Sequence, residues 1–432
     1  MLARATLGPR AAHGCRRGQG ARPAAGHGYA GPFRMNHTFV YFDNAASTRP
    51  APEVEVVVAQ VARGRFGNPS SAHREGSGAS RVMEQARADV LAALGTEEGQ
   101  LVFTSGGTEA NALGVLGAAR LARGRHLITT ALEHPAVLRN VELLIGERGC
   151  QLTQLGPAPG TGAVAANDVA AALRRDTALV AVMLVNNELG TLQPIAEIAR
   201  ALDAFAAREG VRRPHLHVDA VQAFGIMPLG PVVRAADSVA LSAHKLHGPR
   251  GAGALWLRPG ARVAPLWDGG RQERGLRSGT ENVPAIAGFG RAATLAAAAL
   301  KAGAATGLAR LRDTLEAGIV ARVPGARRTL AGDGARAPHI ASLAFPGLPA
   351  EPLLHALETR GVYVSAGSAC AAKDRAPSHV LKAIGVDDDT AVLRFSLSRE
   401  TTADEVAAAL PAVVAAVAEI AAAGPRRRPQ AR

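Results

Sequence analysis

Cysteine is scarce in this chain of 432 residues, with only three, at positions 15, 150 and 370. Three thiols cannot build a disulfide framework, and no Cys-x-x-Cys pair suggests a zinc site. A reducing compartment, the cytoplasm, is therefore expected. Aromatic residues amount to 3% of the chain, too few for the base-stacking surfaces of RNA-binding domains. No uninterrupted apolar run reaches the roughly 18 residues of a membrane span. Acidic residues are missing altogether from 1–42, where Arg4, Arg10, Arg16, Arg17, Arg22 and Arg34 stand alone. With the four arginines of the tail "GPRRRPQAR", this accounts for ten of the thirteen excess positive charges. The body between is close to neutral, so neither a membrane nor direct nucleic-acid binding is expected.

Residues 1–36 read as a disordered extension. Ala, Gly, Arg and Pro dominate the first 34 positions, which contain three prolines and no serine. A mitochondrial transit peptide is usually Ser-rich and amphipathic, and a secretory signal needs an apolar h-region. A true start at Met35 is the alternative reading. Residues 425–432 form a basic tail.

What the body does have is alternation. Apolar runs at 100–106, 126–131, 177–188, 215–222, 238–245 and 252–257 read as buried strands. Helical patterns at 78–94, 109–122, 134–148 and 194–208 lie between them. That order implies an α/β fold with a mainly parallel sheet covered on both faces. In such sheets the ligand sits beyond the carboxyl ends of the strands. A single long helix is predicted over 286–320, followed by strands at 339–347 and 391–398, a helix at 351–360 and a terminal helix from about 402. These suit a smaller α+β domain.

Several strand ends carry reactive groups. "SGGTEAN" (105–111) opens a helix and reads either as an ordinary helix start, capped by Thr108, or as a phosphate cup. Lys245 in "SAHKLHGPRGAGALW" follows a strand of apolar and small residues. It is either a snorkelling surface lysine or a desolvated amine suited to Schiff-base chemistry. Asp219 and His134 also end strand-like runs; a carboxylate there can keep a heterocyclic nitrogen protonated, and an imidazole can stack or exchange protons. The alternating His215 and His217 are read as sharing one strand face rather than as a metal pair. Pyridoxal phosphate needs a lysine, an acid, a stacking ring and a helix N-terminus together.

The motifs "YFDNAASTRP", "FGNPSSAH", "FTSGGTEANA", "LEHPAV", "VNNELGTLQPI", "HVDAVQ", "SAHKLHGPRGAGAL", "QERGLRSGTEN", "SAGSAC" and "LRFSLSRETT" occur in this order across 39–420. In this the chain resembles the pyridoxal-phosphate-dependent cysteine desulfurases of aminotransferase class V, fold type I. The resemblance implies a large α/β domain over 48–300 with a mainly parallel seven-stranded sheet. It also implies a small α+β domain from 37–47 and 301–424, carrying a catalytic cysteine loop. By position, Lys245 would bond the cofactor aldehyde and move the substrate's α proton. Asp219 would pair with the ring nitrogen, Gln222 and Asn187 would approach the phenolic oxygen, and His134 would stack on the ring. Gly107, Thr108, Ser242 and His244 would cradle the phosphate. Thr280 would reach the phosphate of a second copy, implying a homodimer with shared sites, and Arg394 would clamp the substrate carboxylate.

Cys370 would then take sulfur from L-cysteine as a persulfide and leave L-alanine. Lys373 and Arg375 would favour its thiolate, and the small residues Gly367, Ser368 and Ala369 would suit a moving segment. The sulfur would pass to an acceptor protein, an iron–sulfur scaffold or a tRNA-thiolation protein. Two features depart from the family pattern: Arg271 stands where relatives often have glycine, and the last helix gives way near 423 to a short arginine tail rather than a longer scaffold-docking extension. A selenocysteine lyase uses nearly the same site, but the run from "SAGSAC" to Pro377 favours the desulfurase. A non-catalytic dimeric scaffold is disfavoured by the intact Lys245, Asp219, His134, Cys370 and Arg394.

Overall fold

The computed structural model describes residues 39–332, 334–367 and 378–423. The expected N-terminal extension, the basic tail and the stretch holding Cys370 lie outside the described residues. A short strand β1 (Val40–Tyr41) opens the chain, followed by helices α1 (Pro52–Gly64) and α2 (Arg74–Leu94). The apolar runs then form β2 (Gln100–Thr104), β3 (His126–Thr130), β4 (Gln151–Leu155), β5 (Thr177–Met183), β6 (His215–Asp219), β7 (Ser238–Ser242) and β8 (Gly253–Leu257). These seven strands make one sheet in the order β2-β8-β7-β6-β5-β3-β4. The pairs from β4 through β7 are parallel, whereas β8 runs antiparallel to both β7 and β2. Edge strand β4 lacked a signal in the sequence because "QLTQL" is half solvated and has no continuous apolar run.

Helices α3 (Gly107–Leu121), α4 (Pro135–Arg148), α5 (Ala166–Ala172), α6 (Ile195–Glu209), α7 (Gly230–Ala235) and α8 (Val283–Lys301) follow in turn. Strand alternation divides the core between two faces. Val180, Val182, Leu216, Val218, Val239 and Leu241 share one apolar cluster with residues of α1, α2, α6 and α8. Leu179, Ala181, Ala240 and Leu255 join residues of α3 and α4 in another. Both faces of the sheet are thereby covered, as the buried runs require.

The long helix predicted over 286–320 is two helices. α8 ends at Lys301, and Gly303, with φ 86° in the left-handed region, turns the chain into α9 (Ala304–Arg322). Glycine adopts that conformation without a Cβ penalty, and the alanine-rich flanks hid the break. Beyond it, β9 (Arg327–Arg328), β10 (Ile340–Pro346), β12 (Ser365–Ala366) and β13 (Thr390–Ser396) form an antiparallel sheet ordered β12-β13-β10-β9. Between them come α10 (Ala350–Glu358), β11 (Val362–Tyr363), which pairs in parallel with β1, and α11 (His379–Ala383). Helices α9, α10 and the terminal α12 (Ala403–Ala422) enclose a separate apolar cluster with this sheet, built on Leu315, Leu343, Phe345, Leu393, Phe395 and Val413. α8 and α12 are each long and apolar enough to match a membrane span by composition. α8 nevertheless packs against α1 and α2, and α12 against α9 and α10.

Segment 43–51 ties the second sheet to the end of β7. Asn44 Nδ2 donates to the Ser396 oxygen (2.9 Å) and Ala45 N to Ser396 Oγ (2.9 Å), while Thr48 Oγ1 donates to the His244 oxygen (3.0 Å). The loop 268–282 is held as firmly. Glu273 accepts from Arg87 Nη1 (3.0 Å), Arg87 Nη2 (2.9 Å) and Phe103 N (2.7 Å), all buried. Removing one member of such a pair strands a buried charge, at a cost of about 3 to 5 kcal/mol.

Candidate active site

Strands β2, β3, β5, β6 and β7 run the same way and deliver their following residues to one edge of the sheet. There a cavity of about 260 Å³ opens. Ten of the twelve residues singled out from the sequence line it: Gly107, Thr108, His134, Asn187, Asp219, Gln222, Ser242, His244, Lys245 and Arg394. Thr280 does not; it is exposed on the loop 268–282. Cys370 lies outside the described residues.

Lys245 closes a 3₁₀ turn immediately after β7. Its ammonium donates to the backbone oxygens of Ala45 (2.5 Å) and Ala46 (2.7 Å), so segment 43–51 aims the amine. Gln222 Nε2 donates to the same Ala45 oxygen (2.9 Å).

Asp219, the last residue of β6, is buried. Burial pushes its carboxyl above the usual range, opposed by the N–H of Val221 and by the charges and hydrogen bonds around it. Oδ1 accepts from Val221 N (2.9 Å) and Oδ2 from Asn111 Nδ2 (2.8 Å). His134 caps α4, its Nδ1 accepting from Ala136 N (3.1 Å), and burial lowers its pKa. The ring is therefore a neutral imidazole whose proton sits on Nε2. Beside it Glu133 is wholly buried; desolvation pushes its carboxyl up to about 8. Thr130 Oγ1 and Met183 N donate to Glu133 Oε1, and Oε2 has no hydrogen-bond partner among the described residues. A carboxyl in that setting is held protonated at neutral pH.

The opposite end of the cavity suits an anion. α3 begins at Gly107 with no side chain capping its first N–H groups, which leaves them free to meet an anion. A Cβ on Gly107 would stand 2.7 Å from Val221 Cγ2, so only glycine leaves this cup open. Ser242 Oγ is buried at the cavity wall without a hydrogen-bond partner among the described residues. His244 Nδ1 lies 3.2 Å from Ser47 Oγ, and burial lowers its pKa to about 4.

Arg394, from β13, is 2% exposed. Nη1 donates to the Asn187 oxygen (2.8 Å), Nη2 to Asp43 Oδ1 (2.6 Å), and Nε is buried without an acceptor among the described residues. Glu188, next along from Asn187, accepts from Ser378 Oγ (2.6 Å) and faces Gly367. The described residues on both sides of the Cys370 stretch thus meet one buried carboxyl beside the cavity.

Sequence reading missed Asn111, Asp43, Ser47 and Glu133. Asn111 was within reach: it lies one helical turn beyond Thr108, on the face that meets the cavity. Asp43 and Ser47 gave no such sign, because their roles depend on contacts across more than 190 residues.

A pyridoxal phosphate group fits these donors. The open helix start and the unpaired Ser242 hydroxyl suit its phosphate, Asp219 its ring nitrogen, His134 its ring face and Lys245 its aldehyde. The aminotransferase class-V family model matches residues 40–409. A cysteine desulfurase of Cereibacter sphaeroides is 42% identical over 373 residues, covering 85% of this chain and 92% of its own. The solved structure of a NifS-like protein superposes with a TM-score of 0.79 at 34% identity, over 88% of this chain and 100% of the other. One described as SspA in complex with cysteine gives a TM-score of 0.69 at 32% identity, over 84% and 100%.

Proposed function

Because the chain belongs to the aminotransferase class V family, as one of its cysteine desulfurases, we propose that the cavity binds pyridoxal phosphate and L-cysteine together and hands the substrate's sulfur to Cys370. The observation that carries this reading is the convergence of Lys245, Asp219, His134, Arg394 and the open start of α3 on one cavity. The bound cofactor supplies an electron sink that acidifies the substrate's α carbon and loosens its Cβ–S bond.

The chain's own groups do the rest. Arg394, already oriented by Asn187 and Asp43, receives the substrate carboxylate on its remaining N–H groups. Asp219 would keep a proton on the ring nitrogen. The N–H groups of α3, with Thr108, Ser242 and His244, would hold the phosphate, and Gln222 and Asn187 would serve the phenolic oxygen. Lys245 would hold the cofactor by its aldehyde and, once the substrate's amine has displaced it, its freed amine would take the α proton. The Cys370 thiolate attacks the substrate sulfur: an S–S bond forms, the Cβ–S bond breaks, and its electron pair goes to Cβ. Cβ then gains a proton and leaves as the methyl group of L-alanine. Two electrons pass to carbon, and the two sulfurs that become the persulfide are oxidised by two. An acceptor protein takes the sulfur from there.

Thr280 fits a role in a second copy's site. It is exposed on a loop clamped by Glu273 to Arg87 and by Arg277 to Glu109, the residue beside Thr108. A rigid loop of this kind can present one hydroxyl to a homodimer partner.

The purified protein is expected to be yellow and to form one alanine and one persulfide sulfur per L-cysteine consumed. Cys370→Ser should keep the visible band and lose sulfur transfer, whereas Lys245→Ala should lose the band. Sulfur release by Cys370→Ser at the wild-type rate would sink the mechanism. The same assay with L-selenocysteine measures the preference between the two chalcogens.

A further inference from the structure

Behind Asp219 runs a file of polar side chains that the reaction as described does not use. His215, His217 and Asp219 alternate along β6 and face α3, while Leu216 and Val218 between them face the other core. Asn111 Nδ2 lies 2.8 Å from Asp219 Oδ2, and Asn111 Oδ1 lies 2.9 Å from His217 Nε2. His217 Nδ1 is 2.8 Å from Ser238 Oγ, which is 2.8 Å from His215 Nε2. His217 and Ser238 are fully buried and Asn111 is 1% exposed. The imidazole of His217 also fills the space a side chain would take at Gly114: a Cβ there would lie 2.3 Å from its Cε1.

The hydrogens in this file have only two consistent directions. An ionised Asp219 can only accept, so Asn111 turns its N–H₂ toward it and its oxygen toward His217. His217 then carries its proton on Nε2 and accepts at Nδ1 from the Ser238 hydroxyl, whose oxygen accepts from His215. In the reverse direction the Asn111 oxygen faces Asp219, and the carboxyl must hold a proton itself. A protonated Asp219 cannot keep a proton on a ring nitrogen. Both histidines are neutral in this setting, burial lowering each to about 3, so neither supplies a charge that would favour one direction by repulsion.

We propose that His217 and Ser238 are positioning residues that hold the Asn111 amide with its N–H toward Asp219, keeping that carboxyl ionised in a buried site. The proposal rests on the reading that the cavity holds pyridoxal phosphate. The charged and titratable groups facing Asp219 are His134, Lys245 and Glu133; those facing His215 are Arg212, Arg213 and Arg258. Among the described residues the Asn111 side chain bonds to Asp219 and His217, and His217 bonds to Asn111 and Ser238, so the amide's orientation follows from the file itself.

The test is a pH titration of the visible band of the purified holoenzyme, together with the cofactor dissociation constant of reconstituted apoprotein. A positive ring nitrogen lowers the pKa of a Schiff base conjugated to it, since like charges repel. His217→Leu frees Asn111 to turn. Its band midpoint should rise by about one unit, and cofactor affinity should fall about tenfold with one charge-assisted hydrogen bond lost. Ser238→Ala should move both in the same sense by less, and carries the test if His217→Leu does not fold. His217→Gln, which can donate to Asn111 from Nε2 and accept from Ser238 at Oε1, should return both values to near wild type. An unshifted midpoint in His217→Leu and Ser238→Ala, or an equal shift in His217→Gln, overturns the proposal. A wild-type protein with no visible band overturns the cofactor reading beneath it instead.

Discussion

Arg394 offers its guanidinium at a fixed angle because two of its nitrogens are already committed, to the Asn187 oxygen and to Asp43. Its buried Nε is one of the few described polar atoms that depart from the rule that buried polar atoms find partners. A planar fork held on one side and open on the other suits a carboxylate; an ammonium cannot reproduce it, because it is a point charge on a flexible stem. Arg394→Lys should therefore raise KM for L-cysteine by about 100-fold, equivalent to a charge-assisted contact of up to about 3 kcal/mol, with a smaller change in kcat. Steady-state kinetics on a preparation with full cofactor content separates the two constants. A KM within twofold of wild type would remove Arg394 from substrate binding.

At the level of elements, the carboxyl edge of the central sheet was legible because the chemistry sits in short contiguous motifs at strand ends. Lys245, Asp219 and His134 each follow a run of apolar or small residues, and Gly107–Thr108 follow β2 within four positions. Three things were hidden. β4 was solvated, β8 ran antiparallel where the alternation suggested parallel, and the helix break at Gly303 lay among alanines. The file from His215 to Asp219 could not be read either, since it is assembled from α3, β6 and β7 and is defined by contacts of 21 to 108 residues' separation. The start of α3 gives this scale its test. In Gly107→Ala a methyl would meet Val221, whose N–H also holds Asp219 Oδ1. The helix itself should gain propensity from the change, so the fold should persist while cofactor affinity falls by about tenfold or more. Dialysis of the cofactor against matched thermal melts of the apoprotein measures both, and an unchanged affinity would show that the cup tolerates a side chain.

For the molecule as a whole, buried titratable groups set opposing limits on stability. His215, His217 and His339 are lowered to about 3 and His247 to about 4, chiefly by burial. Their folded pKa values lie below the unfolded value of about 6.5, so unfolding takes up protons below that pH. The stability tied to them is complete above about pH 6.5 and is lost as pH falls toward 3. Glu133 works in the other sense. Its folded pKa, about 8, lies above the unfolded value, so its contribution is complete below about pH 4.5 and is lost as pH rises through 8. A neutral isostere isolates this group, because Gln at 133 has no proton to lose. Relative to Glu133→Gln, the wild-type protein should hold constant stability below about pH 4.5. Between about pH 5 and pH 8 it should then lose ground at up to about 1.4 kcal/mol per pH unit. Chemical denaturation of both proteins across pH 4 to 8.5 gives the difference directly. A difference that stays flat across that range would mean that Glu133 is ionised in the folded protein. The unpaired Oε2 would then be part of a buried charge that some other group must neutralise.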